Sequence, residues 1–412
     1  VSPAEIFLYG VALIGHTAIW VGLINRLHAV GLPRKRMNRL TVAAEACHLL
    51  IPLVYVWHIA VLGGARHAED DRGLFVSYAL SAYFLLSLAF AAIAAGRWLA
   101  IRVFRRTPAV LRRCERETID LSAANHDEAV PRIGRLICAL PLNEALRLEV
   151  NEKSLEIPRL PEKLDGLSIA HVSDLHFTGR VGKRYFLKAI DRTIAMQADL
   201  IAVTGDILEK ADCFDWIADT LGRLRAPHGV YFILGNHDLK IDHARLRHDL
   251  TEAGLVDLGG RSITIEVDGQ PVVLAGNELP WVPGWKSEAE GQASEVDSRV
   301  VKILLSHSPD QITWARQRNF DLVLAGHTHG GQICFPIVGP IACPSLFGVK
   351  YACGVFHEPP TAMHVSRGLS SELPLRWNCL PEITKVILRC PARAFAGSET
   401  AELSGMSENR TR

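Results

Sequence analysis

The chain has 412 residues, room for one to three domains. Its 45 Lys and Arg nearly balance its 44 Asp and Glu, leaving a net charge of +1, so no bulk attraction to a nucleic-acid polymer is expected. Its nine cysteines are odd in number and form no C-x-x-C pair, which argues against a secreted disulfide framework; Cys343 and Cys353 read as ordinary thiols.

The mean hydropathy of +0.14 is high for a soluble protein, and the excess sits in the first quarter. Three apolar stretches, Ile6–Ile24, Thr41–Leu62 and Leu74–Ile101, are each long enough to cross a ~30 Å hydrocarbon core as a helix. No other long apolar run lies nearby to bury them as core helices. A basic loop, not a small-residue cleavage site, follows the first stretch, so it reads as a span and not a signal peptide. Arg26, Arg34, Lys35, Arg36 and Arg39 separate spans one and two. Glu69, Asp70 and Asp71, with only Arg66 and Arg72, separate spans two and three; Arg102, Arg105, Arg106, Arg112 and Arg113 follow span three. The positive-inside rule puts the first loop and everything after span three in the cytoplasm, with the N-terminus and the acidic loop outside. Trp20, Trp57, Tyr78 and Trp98 are candidate interface anchors. His16, His48 and His58 fall within the spans; His48 and His58 lie about 15 Å apart along a helix, too far to share a metal, so a packing role is expected.

The chain divides into a membrane region (1–104), a basic segment (105–164), a catalytic domain (165–390) and a disordered tail (391–412). Residues 105–164 read either as an amphipathic segment on the anionic inner leaflet, through Arg132, Arg135 and Arg147, or as a linker packed on the catalytic domain. From Leu167, short β-rich runs end in polar motifs: Leu167–Ser173, Leu200–Thr204 and Val230–Leu234. Helical stretches, Lys183–Gln197 and Asp212–Leu224, fall between them. That alternation argues for parallel strands in an α/β layer, with ligands collecting at the carboxyl ends of the strands. Ser262–Val267, Val272–Ala275, Val300–Leu305, Leu322–Ala325, Ala362–Val365 and Thr384–Leu388 suggest a second, partly antiparallel sheet.

Five motifs follow β-runs in order: Asp174-x-His176, Gly205-Asp206, Gly235-Asn236-His237-Asp238, His307 and Gly326-His327-x-His329. Each alone is weak, since Gly-Asp is a common turn and a lone histidine is more often structural. Together they supply carboxylate, amide oxygen and imidazole, the donors for two divalent cations sharing a bridging carboxylate. Such a centre favours in-line displacement at phosphorus. Gly330, Gly331 and Gln332 allow close backbone approach to a phosphate or form a simple turn. Arg180, Lys183 and Arg184 read as a solvated helix start that could also meet phosphate.

With HVSDLH (171–176), TGDILE (204–209), LGNHD (234–238), LSHSP (305–309) and AGHTHGGQ (325–332), the chain resembles the calcineurin-like metallophosphoesterases over about residues 165–390. SRGLSSELPLRWNCLPEITKVIL (366–388) is similar to the C-terminal end of their bacterial membrane-anchored phosphodiesterase branch. The resemblance implies a four-layer αββα sandwich with a dimetal site at its edge. It implies that Asp174, His176, Asp206 and His329 hold the first metal, and Asp206, Asn236, His307 and His327 the second, with Asp206 bridging. It makes His237 a non-ligand that stabilises charge on the phosphoryl group or protonates the leaving oxygen. Glu209 stands where the family often has Asp; either Glu209 or Asp238 would orient His237.

The expected activity is hydrolysis of a phosphodiester or diphosphate by a shared water made nucleophilic between two Mn, Fe, Zn, Co or Ni ions. A diester is favoured over a monoester. The membrane region suggests a phospholipid, lipid-linked diphosphate or nucleotide-linked lipid as substrate. UDP-diacylglucosamine is a specific case, because another branch of this superfamily hydrolyses it; a soluble cyclic or dinucleotide is the alternative. Competing readings are a catalytically inert membrane scaffold, opposed by the complete ligand set, and a transport or sensing protein, opposed by the lack of acidic residues within the spans.

Overall fold

A computed structural model of the chain describes residues 2–62, 71–104, 107–125, 130–282 and 300–391. The tail from 392, most of the acidic loop, and positions 283–299 lie outside them.

Three long helices open the chain: α1 (Pro3–Ala29), α2 (Arg34–Leu62) and α3 (Asp71–Phe104). Ser2 accepts the amide of Glu5 while Glu5 bonds back to the Ser2 amide, a capping box that starts α1. All three are long and apolar enough to cross a membrane, and only 17%, 6% and 11% of their apolar windows is buried. Ile6, Phe7, Leu49, Leu53, Phe75 and Leu85 face outward. Helices apolar on their exposed faces suit lipid and not water. At Gly15 a Cβ would strike the Ser87 carbonyl, so α1 and α3 touch through backbone. His16 links all three, with Nδ1 2.6 Å from the Tyr83 hydroxyl and Nε2 2.9 Å from the His48 carbonyl oxygen.

The segment 105–164 holds regular structure among its described residues. It carries β1 (Leu111–Asp120), α4 (Arg132–Cys138) and β2 (Arg147–Glu156). β1 and β2 pair antiparallel along their lengths, and together they enter a seven-stranded sheet. The other members of that sheet are β3 (Ser168–Val172), β4 (Leu200–Thr204), β5 (Val230–Ile233), β6 (Val256–Asp257) and β15 (Glu382–Arg389), in the order β1-β2-β15-β3-β4-β5-β6. β15, expected in the second sheet, instead inserts parallel to β2 and antiparallel to β3.

The six-stranded sheet holds β7 (Ser262–Val267), β8 (Gln270–Asn277), β9 (Val301–Ser306), β10 (Leu322–Ala325), β13 (Gly354–Glu358) and β14 (Thr361–Val365), in the order β13-β14-β10-β9-β8-β7. A two-stranded ribbon, β11 (Cys334–Phe335) and β12 (Gly339–Pro340), stands apart. The second sheet is partly antiparallel, at β7–β8 and β13–β14.

The central strands are apolar on both faces because each face meets a different layer. Ile169, Ala202, Tyr231 and Ile233 meet Leu274, Ile303, Leu305 and Leu324 between the sheets. Ala170, Val203 and Phe232 face outward onto Tyr185, Phe186 and Ile190 of α5 (Lys183–Ala195), Ile217 of α6 (Trp216–Asp219) and Leu246 of α7 (His243–Glu252). Beyond the second sheet, Leu304, Val323 and Met363 pack on Ile312 and Ala315 of α8 (Ile312–Gln317). The layers therefore run helix, sheet, sheet, helix. The helix expected over 212–224 is broken: Thr220, at φ −107° and ψ −84°, separates α6 from a single 3-10 turn.

Candidate metal centre

Every motif falls just past the carboxyl end of a parallel strand. Asp174 and His176 follow β3, Asp206 follows β4, and Asn236 and His237 follow β5; His307 follows β9, and His327 and His329 follow β10. Two parallel strand sets thus aim their ends at one edge of the sandwich. Asp174 (φ 52°), His176 (44°), Asp206 (52°), His327 (70°) and His329 (50°) all adopt the left-handed region that non-glycine residues avoid. Strain of this kind, about 1–3 kcal/mol per residue, persists where the surrounding structure enforces it and clusters at functional sites. The motif glycines make room: a Cβ on Gly235 would strike Asp206, and one on Gly326 would strike Ser173 and Asp174.

The donors form two groups sharing Asp206. Asp174, His176, Asp206 and His329 offer atoms within 4.8 Å of one another, as do Asp206, His307 and His327. His176 Nε2 lies 3.2 Å from His329 Nε2, 3.6 Å from Asp206 Oδ2 and 3.9 Å from Asp174 Oδ1. His307 Nε2 lies 3.1 Å from Asp206 Oδ2. Outer hydrogen bonds fix the tautomers: His176 Nδ1 donates to Glu209 at 2.8 Å and His307 Nδ1 donates to the Thr204 carbonyl at 2.6 Å. Both Nε2 lone pairs then point inward, the arrangement metal-ligating histidines show. Asp206 Oδ2, Asn236 Oδ1 and His327 Nε2 are buried without a hydrogen-bond partner. Buried polar atoms left unpaired around facing imidazole lone pairs and two carboxylates fit a pair of divalent cations.

The proton states without metal reflect this crowding. Burial alone would raise the Asp206 carboxyl, but His307 and His237 hold it well below its usual range. Burial raises the Asp174 carboxyl against the pull of His307, and the Asp206 charge adds to the rise. Burial would lower His307, yet the Asp206 carboxylate raises it to about 9. Burial and neighbouring imidazoles, His307 for His327 and His176 for His329, push those two well down.

His237 stands beside the cluster. Its Nδ1 contacts Glu209 Oε1, the same oxygen that accepts from His176. Asp238 is not at this ring. It is buried beneath the loops, where Oδ1 accepts the amides of Ile207 and Leu208 and Oδ2 that of Gly235. Burial and the Asp206 charge push its carboxyl up to about 7. Arg180 bonds the Glu372 carbonyl and Lys183 pairs with Asp219, so neither reaches the cluster.

Lys240, Glu372 and Trp281 also stand around the cluster. Lys240 Nζ lies 2.6 Å from His237 Nδ1. Glu372 Oε2 lies 3.8 Å from Lys240 Nζ. Trp281 sets its edge against His327, with ring centroids 4.7 Å apart, and against His307 at 5.6 Å. Lys240 stands one helical turn past His237, a spacing that could have found it; Trp281 lies four residues past the end of β8.

A family model for calcineurin-like phosphoesterases matches residues 167–331. The chain is 33% identical over 253 residues to the uncharacterized metallophosphoesterase YkuE of Bacillus subtilis, covering 59% of this chain and 86% of the relative. The chain belongs to the calcineurin-like metallophosphoesterases. This family hydrolyses phosphoesters with bound metal, and the Asp/His cluster fits its divalent dimetal site. The phosphodiesterase YaeI of Escherichia coli is 28% identical over 225 residues, 53% of this chain and 81% of YaeI. A Danio rerio transmembrane protein with a metallophosphoesterase domain is 25% identical over 262 residues, 60% of this chain and 59% of the relative. Such a relative and the three apolar helices together suggest a membrane protein among the metallophosphoesterases.

Proposed function

We propose that this metallophosphoesterase hydrolyses a phosphodiester or diphosphate at the cytoplasmic face of a bacterial inner membrane, with a lipid or nucleotide-linked lipid as substrate. The observation that carries the reading is the double donor set meeting at Asp206. Asp174, His176, Asp206 and His329 would hold one divalent ion; Asp206, Asn236, His307 and His327 the other. The mixed oxygen and nitrogen donors suit Mn, Fe, Zn, Co or Ni. When bound, the two ions supply an activated water and offset the charge that builds at phosphorus.

The remaining chemistry belongs to the chain. His237 donates a proton to the leaving oxygen or a hydrogen bond to the phosphoryl group. Glu209 accepts a hydrogen bond from Nδ1 of His237 and so leaves Nε2 for the substrate. Lys240 adds positive charge at the same wall. The diester preference rests on the likeness to YaeI, a phosphodiesterase by name.

The orientation has a geometric support besides the basic flanks. Residues of the α1–α2 connection line the same cavity as the Asp/His cluster, so that connection and the catalytic domain share one side of the membrane. The test is hydrolysis of bis-p-nitrophenyl phosphate by detergent-purified protein, with and without Mn²⁺, beside D206N. Metal-dependent turnover lost in D206N is the expected result. A protein with two bound ions that hydrolyses neither this ester nor any phospholipid would sink the reading, and a protein that binds no metal would point to an inert scaffold.

A further inference from the structure

The cluster opens into a cavity of ≈990 Å³, at the upper end of small-molecule sites and far larger than a phosphate needs. Its floor is the cluster, with His237 and Lys240. One wall comes from the membrane region: Ile24 and His28 on the last turns of α1, Leu32 and Pro33 in the connection, and Met37 on the first turn of α2.

That wall is docked and not merely adjacent. Asn25, buried at the end of α1, accepts the Cys343 amide at 3.0 Å, and Cys343 is buried too. A Cβ on Gly31 would strike the Pro280 carbonyl, so the connection lies directly on the residue before Trp281. The wall is also where a hydrocarbon span ends, because Lys35, Arg36 and Arg39 begin α2. A second contact lies at the same boundary: Trp98, near the end of α3, donates to the Ile337 carbonyl at 3.2 Å. Ile337 and Val338 there expose apolar side chains, 71% and 54% accessible, on the catalytic domain itself. Large exposed aliphatics beside helices that enter lipid mark a rim at the headgroup level.

We propose that the α1–α2 hairpin is the specificity wall of the active site. It seats the hydrocarbon portion of an amphiphilic phosphodiester against Ile24, Leu32, Pro33 and Met37 while the phosphate lies at the Asp/His cluster. The inference rests on the phosphoesterase reading above and adds the substrate class and the residues that select it. An amphiphile at the membrane boundary enters with its charged end already facing the cluster. A soluble nucleotide would leave the apolar wall against water. Asn25 and Gly31 act as positioning residues that hold the wall in place.

The test uses the full chain in nanodiscs of zwitterionic lipid and p-nitrophenyl alkyl phosphodiesters from methyl to octyl. Each methylene that reaches the wall should raise kcat/KM about fourfold, as burying a methylene stabilises by about 0.8 kcal/mol, until the wall is filled. The double variant L32N/M37Q should lower the octyl-to-methyl ratio at least about tenfold. A ratio near one in the unsubstituted protein, or one unmoved by the double variant, overturns the proposal. A second measurement needs neither variant nor turnover: an alkyl phosphodiester with a terminal diazirine is photolysed and its adducts are mapped. Adducts within residues 24–37, competed by the octyl ester, support the wall. Adducts confined to other parts of α2 and α3, or to catalytic loops, overturn it. Adducts at the hairpin in a metal-loaded protein that hydrolyses no ester would keep the wall and sink the phosphoesterase reading.

Discussion

Glu209 Oε1 accepts the Nδ1 proton of His176 at 2.8 Å and also contacts Nδ1 of His237. One carboxylate oxygen therefore sets the tautomer of a cluster imidazole and of the imidazole beside it. Burial would raise Glu209, but its hydrogen bonds to His176 and His237 hold it far below the usual carboxylate range. Burial would lower His237, and Asp206 and Glu209 instead raise it above its ordinary 6.5. The rise favours the protonated ring, the form that can act as an acid. E209Q should cost about 10- to 100-fold in activity, the usual loss when an outer partner of a ligand is removed. It should also move the alkaline limb of the pH profile toward lower pH, because the charge that raised His237 is gone. An alkaline limb that stays in place would show that Glu209 does not act through His237.

If His237 is the proton donor, its importance depends on the leaving group. H237A should lower kcat by about 10²- to 10⁴-fold on a dialkyl phosphodiester, whose alkoxide needs protonation. Nitrophenolate leaves without help, so the loss on bis-p-nitrophenyl phosphate should be much smaller. Equal losses on the two substrates would assign His237 to phosphoryl charge stabilisation and not to acid catalysis.

Metal uptake should compete with a proton at His307. With Asp206 beside it, His307 is raised to about 9, so at neutral pH the metal-free ring is protonated. It must lose that proton before Nε2 can ligate. Affinity for Mn²⁺ should therefore climb by about tenfold per pH unit through the neutral range and level off above the raised value. Calorimetry in two buffers of different ionisation enthalpy checks this through the proton released per ion bound. Heats that do not depend on buffer near neutral pH would rule it out.

The strands that end in ligands are readable because each is sandwiched between two apolar layers, giving runs such as Leu200–Thr204 with no polar face. The motifs at their ends are readable because ligation demands fixed residue types. β1 and β2 escape the same reading. LRRCERETID is mostly exposed, and RLEVNEKSLE buries Glu149, Asn151 and Lys153, whose partners lie more than two hundred residues on. β15 is recognisable as a strand, but its place between β2 and β3 depends on those same distant partners. The cavity wall is hidden for a like reason: Asn25 and Cys343 are 318 positions apart and meet only once the membrane helices dock.

That buried polar strand pair predicts a stability effect. Glu382 Oε2 accepts from Arg367 at 2.8 Å and from Asn151 at 2.7 Å, and lies 3.6 Å from Lys153 Nζ. Burial would raise the Glu382 carboxyl, and Lys153 and Arg367 hold it well below its ordinary 4.5. Its contribution is thus fully present above the unfolded value and lost only as pH falls through the depressed folded one. E382Q leaves Lys153 without its carboxylate and Arg367 with Glu149 alone, and should cost about 3–5 kcal/mol. Thermal unfolding in detergent would read this as a lower Tm across neutral pH, with the gap to the native chain narrowing in acid. A gap that is constant down to strong acid would show that charge is not what Glu382 contributes.

The hairpin reaches the cluster through a short chain of contacts. Gly31 lies on Pro280, Pro280 precedes Trp281, and Trp281 sets its edge against His327 and His307. G31V places a branched side chain where a single Cβ already strikes the Pro280 carbonyl. The hairpin must lift or the 280–281 turn must shift. Misplacement of about 1 Å can cost about 10²-fold in rate, so kcat/KM should fall by about 10- to 100-fold. The cluster donors come from strand ends that G31V does not touch, so two metals should still bind. Elemental analysis beside diester kinetics separates the cases. Full activity with two metals would mean that the membrane hairpin merely adjoins the site, and loss of metal with activity would mean that Trp281 holds the ligand histidines themselves.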